Sequence, residues 1–169
     1  MKDILDIHSH TIASGHAYNT LYEMARAAAD NGMELFGSSD HGPALPGSSH
    51  EMYFCNFKSI PKELFGMRLI MGCELNILDY KGTLDLKEWL LKRVDYGIAS
   101  IHDLCYKTGS REENTAAAVN AMSTIHVAHR SARPTIFALP ASADCTRRII
   151  RWMELSSPTF AARISNAPN

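Results

Sequence analysis

Three of the eight histidines in this 169-residue chain fall close together near its start, as His8, His10 and His16. His8 and His10 lie in a short segment where apolar and polar residues alternate, which predicts a β-strand. Because successive residues of a strand face opposite ways, these two side chains share one face, about 7 Å apart along the strand. Two imidazoles in that arrangement can converge on one metal ion, and His16 follows in a loop that can fold back over them.

Three more potential metal ligands stand at the ends of later predicted strands, namely His41, Glu74 and His102. Imidazole and carboxylate without thiolate suit zinc, iron or manganese. The two oxygens of Glu74 could bridge two cations. Two metals roughly 3.5–4 Å apart can bind phosphate oxygens and lower the pKa of a bridging water.

Two aspartates, Asp6 and Asp40, precede these histidines. A metal-bound histidine usually donates its other ring N–H to a carboxylate, a carbonyl or water. Either aspartate could therefore hold a histidine ring in place from behind. An ordinary surface or capping carboxylate is an equally good interpretation of both.

The elements that must position these residues are strands alternating with helices. Strands are expected over 3–10, 33–39, 68–74 and 94–102, with a fifth beginning at 124–129, and helices over 20–31, 86–92 and 111–122. This alternation predicts an α/β fold with a mostly parallel sheet. In a β/α barrel the chemistry gathers at the carboxyl ends of the strands, which is where the candidate ligands fall.

The composition is that of an ordinary globular domain, with 46% hydrophobic and 21% charged residues. The formal net charge of −1 gives no field to attract nucleic acid or an anionic membrane. No apolar run approaches the roughly 18 residues of a membrane helix, and the first residues do not resemble a signal peptide. The four cysteines form no C-x-x-C pair. We therefore expect a cytoplasmic protein without membrane or nucleic-acid partners.

Taken together, the motifs resemble the PHP (polymerase and histidinol phosphatase) family, and within it the small trinuclear-zinc phosphatases. The resemblance covers residues 3 to about 122. It rests on His8-Ser-His10, Ser14-Gly-His16, Ser39-Asp-His41-Gly42, Gly72-Cys-Glu74, Ala99-Ser-Ile-His102 and Arg111-Glu-Glu-Asn114-Thr115.

The resemblance implies a distorted (β/α)7 PHP barrel, of which this chain holds the N-terminal half to two-thirds. It also implies phosphoester hydrolysis by a metal-bridged hydroxide, with a small phosphorylated substrate and up to three ions. Zinc is expected, with manganese or iron as alternatives. By motif position, His8, His10 and Glu74 hold the first metal, Glu74 and His102 the second, and His16 and His41 the third. Glu74 and His102 are the predicted catalytic residues.

The composition changes abruptly after residue 122. Residues 1–122 carry all lysines and glycines and a formal charge of −5, whereas residues 123–169 carry +4 and neither residue type. The family completes its site with a histidine after the fifth strand and a later D-x-H. Here His129 is the candidate histidine, with His126 as a competitor, and no D-x-H follows.

We therefore predict two segments: a metal-binding barrel portion over 1–122 and a divergent tail over 123–169 produced by a frameshift. Alternatively, the tail is a genuine replacement, whose segment 149–155 could form an amphipathic helix over the open barrel edge. An uncovered sheet edge would favour self-association.

Three other functions stay open at this point. A metal-dependent amidohydrolase also begins with H-x-H. A catalytically impaired remnant would bind metal without turnover, since the C-terminal ligands are missing. A nuclease is disfavoured by the acidic N-terminal part and the lack of a basic stripe.

Overall fold

The structure, a computed structural model, describes residues 4–128 and 136–137. Strands and helices alternate along this part of the chain. They are β1 (Leu5–Ser9), α1 (Leu21–Asp30), β2 (Leu35–Ser38), α2 (Glu51–Cys55), β3 (Glu63–Leu64), β4 (Met67–Asn76), α3 (Glu88–Leu91), β5 (Tyr96–Ser100), α4 (Arg111–Ala128) and β6 (Ile136–Phe137). Short 3-10 turns occupy Ile12–Ser14 and Asn56–Ser59. No helix within this part of the chain is long and apolar enough to cross a membrane.

The strands form one sheet in the order β1-β2-β4-β5-β6, and every neighbouring pair in that order is parallel. β3 is added to β4 as a short antiparallel hairpin. The sheet curls into about half a barrel. Over the described residues, the predicted α/β fold with part of a β/α barrel is therefore confirmed.

Helix α1 begins where the sequence predicts it. The Thr20 hydroxyl accepts a hydrogen bond from the Glu23 backbone N–H, and the Glu23 carboxylate accepts one from the Thr20 N–H. This reciprocal pair satisfies two N–H groups that the helix start would otherwise leave free. Ala25 and Ala28 then face the core.

The predicted fifth strand at 124–129 is wrong over its described residues, because α4 continues to Ala128. Ala117, Ala121 and Ile125 recur every fourth residue and are completely buried. Packing of this helical stripe against the sheet outweighs the preference of β-branched residues for strands.

The predicted boundary after residue 122 falls inside α4. His129 lies outside the described residues, so its metal-binding role stays a prediction.

A single tyrosine connects β5 to β1 across the curl of the sheet. Tyr96 of β5 is completely buried, and its hydroxyl donates a 2.7 Å hydrogen bond to the carbonyl of Ile7 in β1. Glycines at 37 and 72 leave room for its ring, since a Cβ at Gly72 would lie 2.3 Å from the ring carbon Cζ. Tyr96 thus fixes how closely β1 and β5 approach across the concave face.

The outer edge of β1 carries no strand within the part of the chain that the structure describes, where β1 pairs only with β2. Such an edge presents free backbone groups to a partner. Self-association through it stays a prediction.

We predict that Tyr96→Phe lowers the free energy of unfolding by about 1–2 kcal/mol, because a buried carbonyl loses its donor. Urea unfolding followed by circular dichroism measures this. The matched control is Tyr18→Phe, since Tyr18 is 91% exposed and its change should leave stability unaltered. Equal stability of both variants would show that the Tyr96 hydrogen bond does not hold the curl.

Candidate metal centre

The side chain of Glu74 forms the middle of the candidate site. It is 5% exposed, near the end of β4. Its Oε2 lies 3.3 Å from His8 Nε2, 3.2 Å from His10 Nε2 and 3.0 Å from His41 Nδ1. Its Oε1 lies 3.5 Å from His102 Nε2. One carboxylate thus faces four imidazoles.

The backbone brings these residues together at the carboxyl ends of four strands. His8 and His10 alternate at the end of β1, with ring centroids 5.4 Å apart. His41 follows β2 and forms an isolated parallel bridge with Glu74. His102 follows β5. The convergence expected from strand ends in a parallel sheet is therefore present.

His16 reaches the same place from the loop after β1. Its ring centroid lies 5.1 Å from that of His10 and 4.9 Å from that of His41. Gly15 turns the chain with a φ of 77°, and a Cβ there would lie 2.1 Å from the carbonyl oxygen of Gly47. Only glycine fits this turn, which directs His16 back over the strand ends.

The donor atoms of these six residues fall into three overlapping groups that could each hold a metal ion, with atoms within 4.8 Å of one another. The groups are His8, His10 and Glu74; His41, Glu74 and His102; and His10, His16 and His41. The ligand sets that the sequence resemblance implied are each contained within one group. The assignment of ions to them stays a proposal.

His41 provides the sharpest test of whether the site fits a metal. Its Nδ1 is buried without a hydrogen-bond partner among the described residues, although Glu74 Oε2 is only 3.0 Å away. A buried polar atom normally has a partner. The donor spacings of 3.0–3.5 Å at Glu74 are close to those of ligands sharing one ion, about 3.3 Å for tetrahedral zinc with bonds near 2.0–2.1 Å. The donor set fits a divalent cation.

The Glu74 carboxylate strongly favours its ionised form. Burial by itself would raise the pKa of Glu74, but the four facing imidazoles hold that pKa far below its ordinary value. The Glu74 carboxylate in turn raises the pKa of the His8 imidazole, against the effect of burial. Glu74 is therefore ionised, and its charge can balance that of a cation.

Asp40 supports the site from beneath, through a serine. It is 1% exposed and accepts hydrogen bonds from Thr11 N (2.7 Å), Ser14 Oγ (2.7 Å) and Tyr53 OH (2.7 Å). Burial and the neighbouring carboxylate raise the pKa of Tyr53, so its hydroxyl stays a donor. Ser14 Oγ lies 3.0 Å from His10 Nδ1. Asp40 thus reaches a ring nitrogen indirectly, and its predicted supporting role stays a proposal.

Asp6 contacts the main chain at the start of the site. Its carboxylate accepts a 3.0 Å hydrogen bond from the backbone N–H of His8. Asp6 therefore holds the main chain at His8. Within residues 4–128, no hydrogen bond supports a role for Asp6 in orienting a histidine ring.

Three polar residues at the site escaped the sequence analysis. Ser100 Oγ donates a 2.5 Å hydrogen bond to Glu74 Oε1, and Asn76 Oδ1 lies 2.7 Å from His102 Nδ1. Each stands two residues from a predicted ligand, so strand alternation was the signal that could have found it. Asp85, which contacts Asn76, follows a turn and carried no such signal.

Comparison with known proteins agrees with this geometry. The PHP domain family model matches residues 6–133. A probable phosphatase of Clostridium novyi is 47% identical over 174 residues, and one of Acetivibrio thermocellus is 39% identical over 173 residues. Both alignments cover 100% of this chain and 71% of the relative.

A probable phosphatase of Clostridium botulinum (strain Langeland) is 46% identical over 127 residues, which are 75% of this chain and 52% of that protein. The chain thus spans between about half and seven-tenths of the relatives it matches. The family model, the identities and the parallel half-barrel with its histidines at the strand ends agree, and the chain belongs to the PHP domain family.

Proposed function

We propose that this protein hydrolyses phosphoesters of small molecules with the help of divalent metal ions. The observation that carries the proposal is the buried Glu74 carboxylate facing four imidazoles within 3.5 Å. Its relatives are named probable phosphatases, which supports a phosphorylated substrate.

Six described residues would hold the ions: His8, His10, His16, His41, Glu74 and His102. His129 is proposed as a further ligand. Zinc best suits this donor set, with manganese or iron as alternatives. Bound ions of this kind supply Lewis acidity and lower the pKa of water.

The protein's own part is to fix the donors and to keep Glu74 charged. Ser100 holds Glu74 Oε1, and Ser14 stands behind His10. Burial of Glu74 and His41 keeps bulk water away from the base of the site. Glu74 and His102 stay our proposed catalytic residues.

The number of ions follows from how the groups overlap. The group of His8, His10 and Glu74 and the group of His41, Glu74 and His102 share only Glu74, which has two oxygens. Each would then have three protein ligands, as catalytic zinc sites do. The group containing His16 reuses His10 and His41, so a third ion needs a donor from elsewhere.

We predict that the purified chain carries two zinc ions that survive gel filtration, as measured by elemental analysis. Three ions would mean that His129, another part of the tail or a partner subunit completes the third site. Less than one ion per chain would contradict the proposal and favour the impaired remnant.

We predict that Glu74→Gln abolishes metal retention and lowers kcat/KM for a chromogenic aryl phosphate by more than about 100-fold. This loss exceeds the roughly 10–100-fold that typically follows mutation of a residue that only supports a metal ligand. The amide keeps the size of the side chain but not the charge. Glu112→Gln is the matched control, because Glu112 is exposed on α4. Full activity in Glu74→Gln would refute the assignment.

Parallel assays distinguish the alternative functions. Hydrolysis of an amide substrate in preference to the aryl phosphate would favour an amidohydrolase. Digestion of single-stranded DNA would favour a nuclease. Bound metal without turnover of any of these would favour a remnant.

We also propose that residues 123–169 arise from a frameshift. The change of composition supports this, and the family model ends at residue 133. Two whole-chain alignments with relatives weigh on the other side. We expect a D-x-H motif in another reading frame of the DNA beyond codon 123. Its absence from both frames would leave a genuine tail.

A further inference from the structure

Asn76 occupies a fully buried position behind the candidate ligand His102. Its Nδ2 donates to the carbonyl oxygen of Gly42 (3.1 Å) and to Asp85 Oδ2 (2.5 Å). Its Oδ1 lies 2.7 Å from His102 Nδ1. The side-chain amide thus faces three polar partners and uses both of its ends.

The partners of Asn76 fix which way its amide points. The Gly42 carbonyl can only accept hydrogen bonds. Both oxygens of Asp85 already face N–H donors, because Oδ1 accepts from Asn76 N (2.9 Å) and Oδ2 accepts from Ala44 N (3.0 Å). The NH2 group must therefore face Gly42 and Asp85, and the amide oxygen must face His102.

The orientation of the Asn76 amide determines which ring nitrogen of His102 carries the proton. An amide oxygen only accepts, so His102 Nδ1 must carry the hydrogen between them. The other nitrogen, Nε2, is left with a lone pair that faces Glu74 Oε1 at 3.5 Å. Nε2 of His102 and Oε1 of Glu74 thus both present lone pairs to each other, and a cation bound between them would satisfy both.

We propose that Asp85 and Asn76 are positioning residues that lock His102 in the tautomer whose Nε2 can bind a divalent ion. This inference rests on the proposed metal-dependent function and names residues that determine the affinity of that site. Asp85 acts on Asn76, and Asn76 acts on His102. Neither residue touches the ion or the substrate.

The close approach of Asp85 also explains the glycine that ends the Asp40-His41-Gly42 motif. A Cβ at Gly42 would lie 2.4 Å from Asp85 Oδ2 and 2.6 Å from Oδ1. The Asp85 carboxylate is held by three hydrogen bonds and cannot retreat without losing them. The motif therefore provides the candidate ligand His41 and, at Gly42, the space that the Asp85 carboxylate occupies.

The test is nitrogen-15 NMR of the histidine rings in the metal-free full chain at mildly alkaline pH. His102→Gln assigns the signal. We expect the Nδ1–H tautomer in the unaltered protein. In Asp85→Asn the Asn76 NH2 group loses its charged acceptor and keeps the Gly42 carbonyl, so the amide is held less firmly. We therefore expect the Nε2–H tautomer of His102 to appear beside the Nδ1–H tautomer, and zinc binding weaker by about 10–100-fold, measured by competition with a chelator.

Asp79→Asn is the matched control, because the Asp79 carboxylate accepts hydrogen bonds from Lys81 and Thr83 within its own turn. It should leave the tautomer and the zinc affinity unchanged. An Nε2–H tautomer in the unaltered protein would overturn the proposal, and so would unchanged zinc affinity in Asp85→Asn. The tautomer measurement on the unaltered chain decides even if Asp85→Asn does not fold.

The two proposals fail in different ways. Absence of zinc binding or of phosphoester hydrolysis in the unaltered chain would refute the proposed function. The tautomer is read without metal, so it tests the lock independently of turnover.

Discussion

A buried carboxylate must be compensated, and in this protein that requirement centres on Glu74. Moving a charge out of water costs several kcal/mol unless partners replace the lost hydration. Glu74 is 5% exposed and has four imidazoles and the Ser100 hydroxyl around it. Four strand ends contribute to this environment, so the compensation of the Glu74 charge depends on how the sheet is arranged.

The curl of the sheet makes that environment attainable. In a flat sheet β1 and β5 would lie about 14 Å apart, because three strand spacings of about 4.8 Å separate them. In the folded protein the Tyr96 hydroxyl of β5 reaches the carbonyl of Ile7 in β1 at 2.7 Å. The same curvature brings His8 and His10 to the carboxylate that His102 approaches from the opposite side. Gly37 and Gly72 contribute by leaving the space that the tyrosine ring fills.

Behind the ligands stand two further carboxylates with parallel roles, the buried Asp40 and the half-buried Asp85. Asp40 connects to His10 through Ser14, and Asp85 connects to His102 through Asn76. In each case the intermediate residue meets the histidine at Nδ1 and leaves Nε2 facing Glu74. Buried polar networks of this kind rigidify a site when every member is satisfied. The candidate metal centre is thus supported by the protein on the side away from the cation.

Sequence by itself determined the fold class and placed five candidate ligands at strand ends, because alternation along a strand and the edge of a parallel sheet are local rules. It identified the start of α1 from a four-residue capping pattern. It misread 124–128, where the β-branched Thr124 and Ile125 favour a strand but packing of Ala117, Ala121 and Ile125 against the sheet keeps a helix. Only the tertiary structure decided that Asp85 lies behind His102. That contact joins a loop to a strand nine residues away and depends on the space beside Gly42, which no local pattern records.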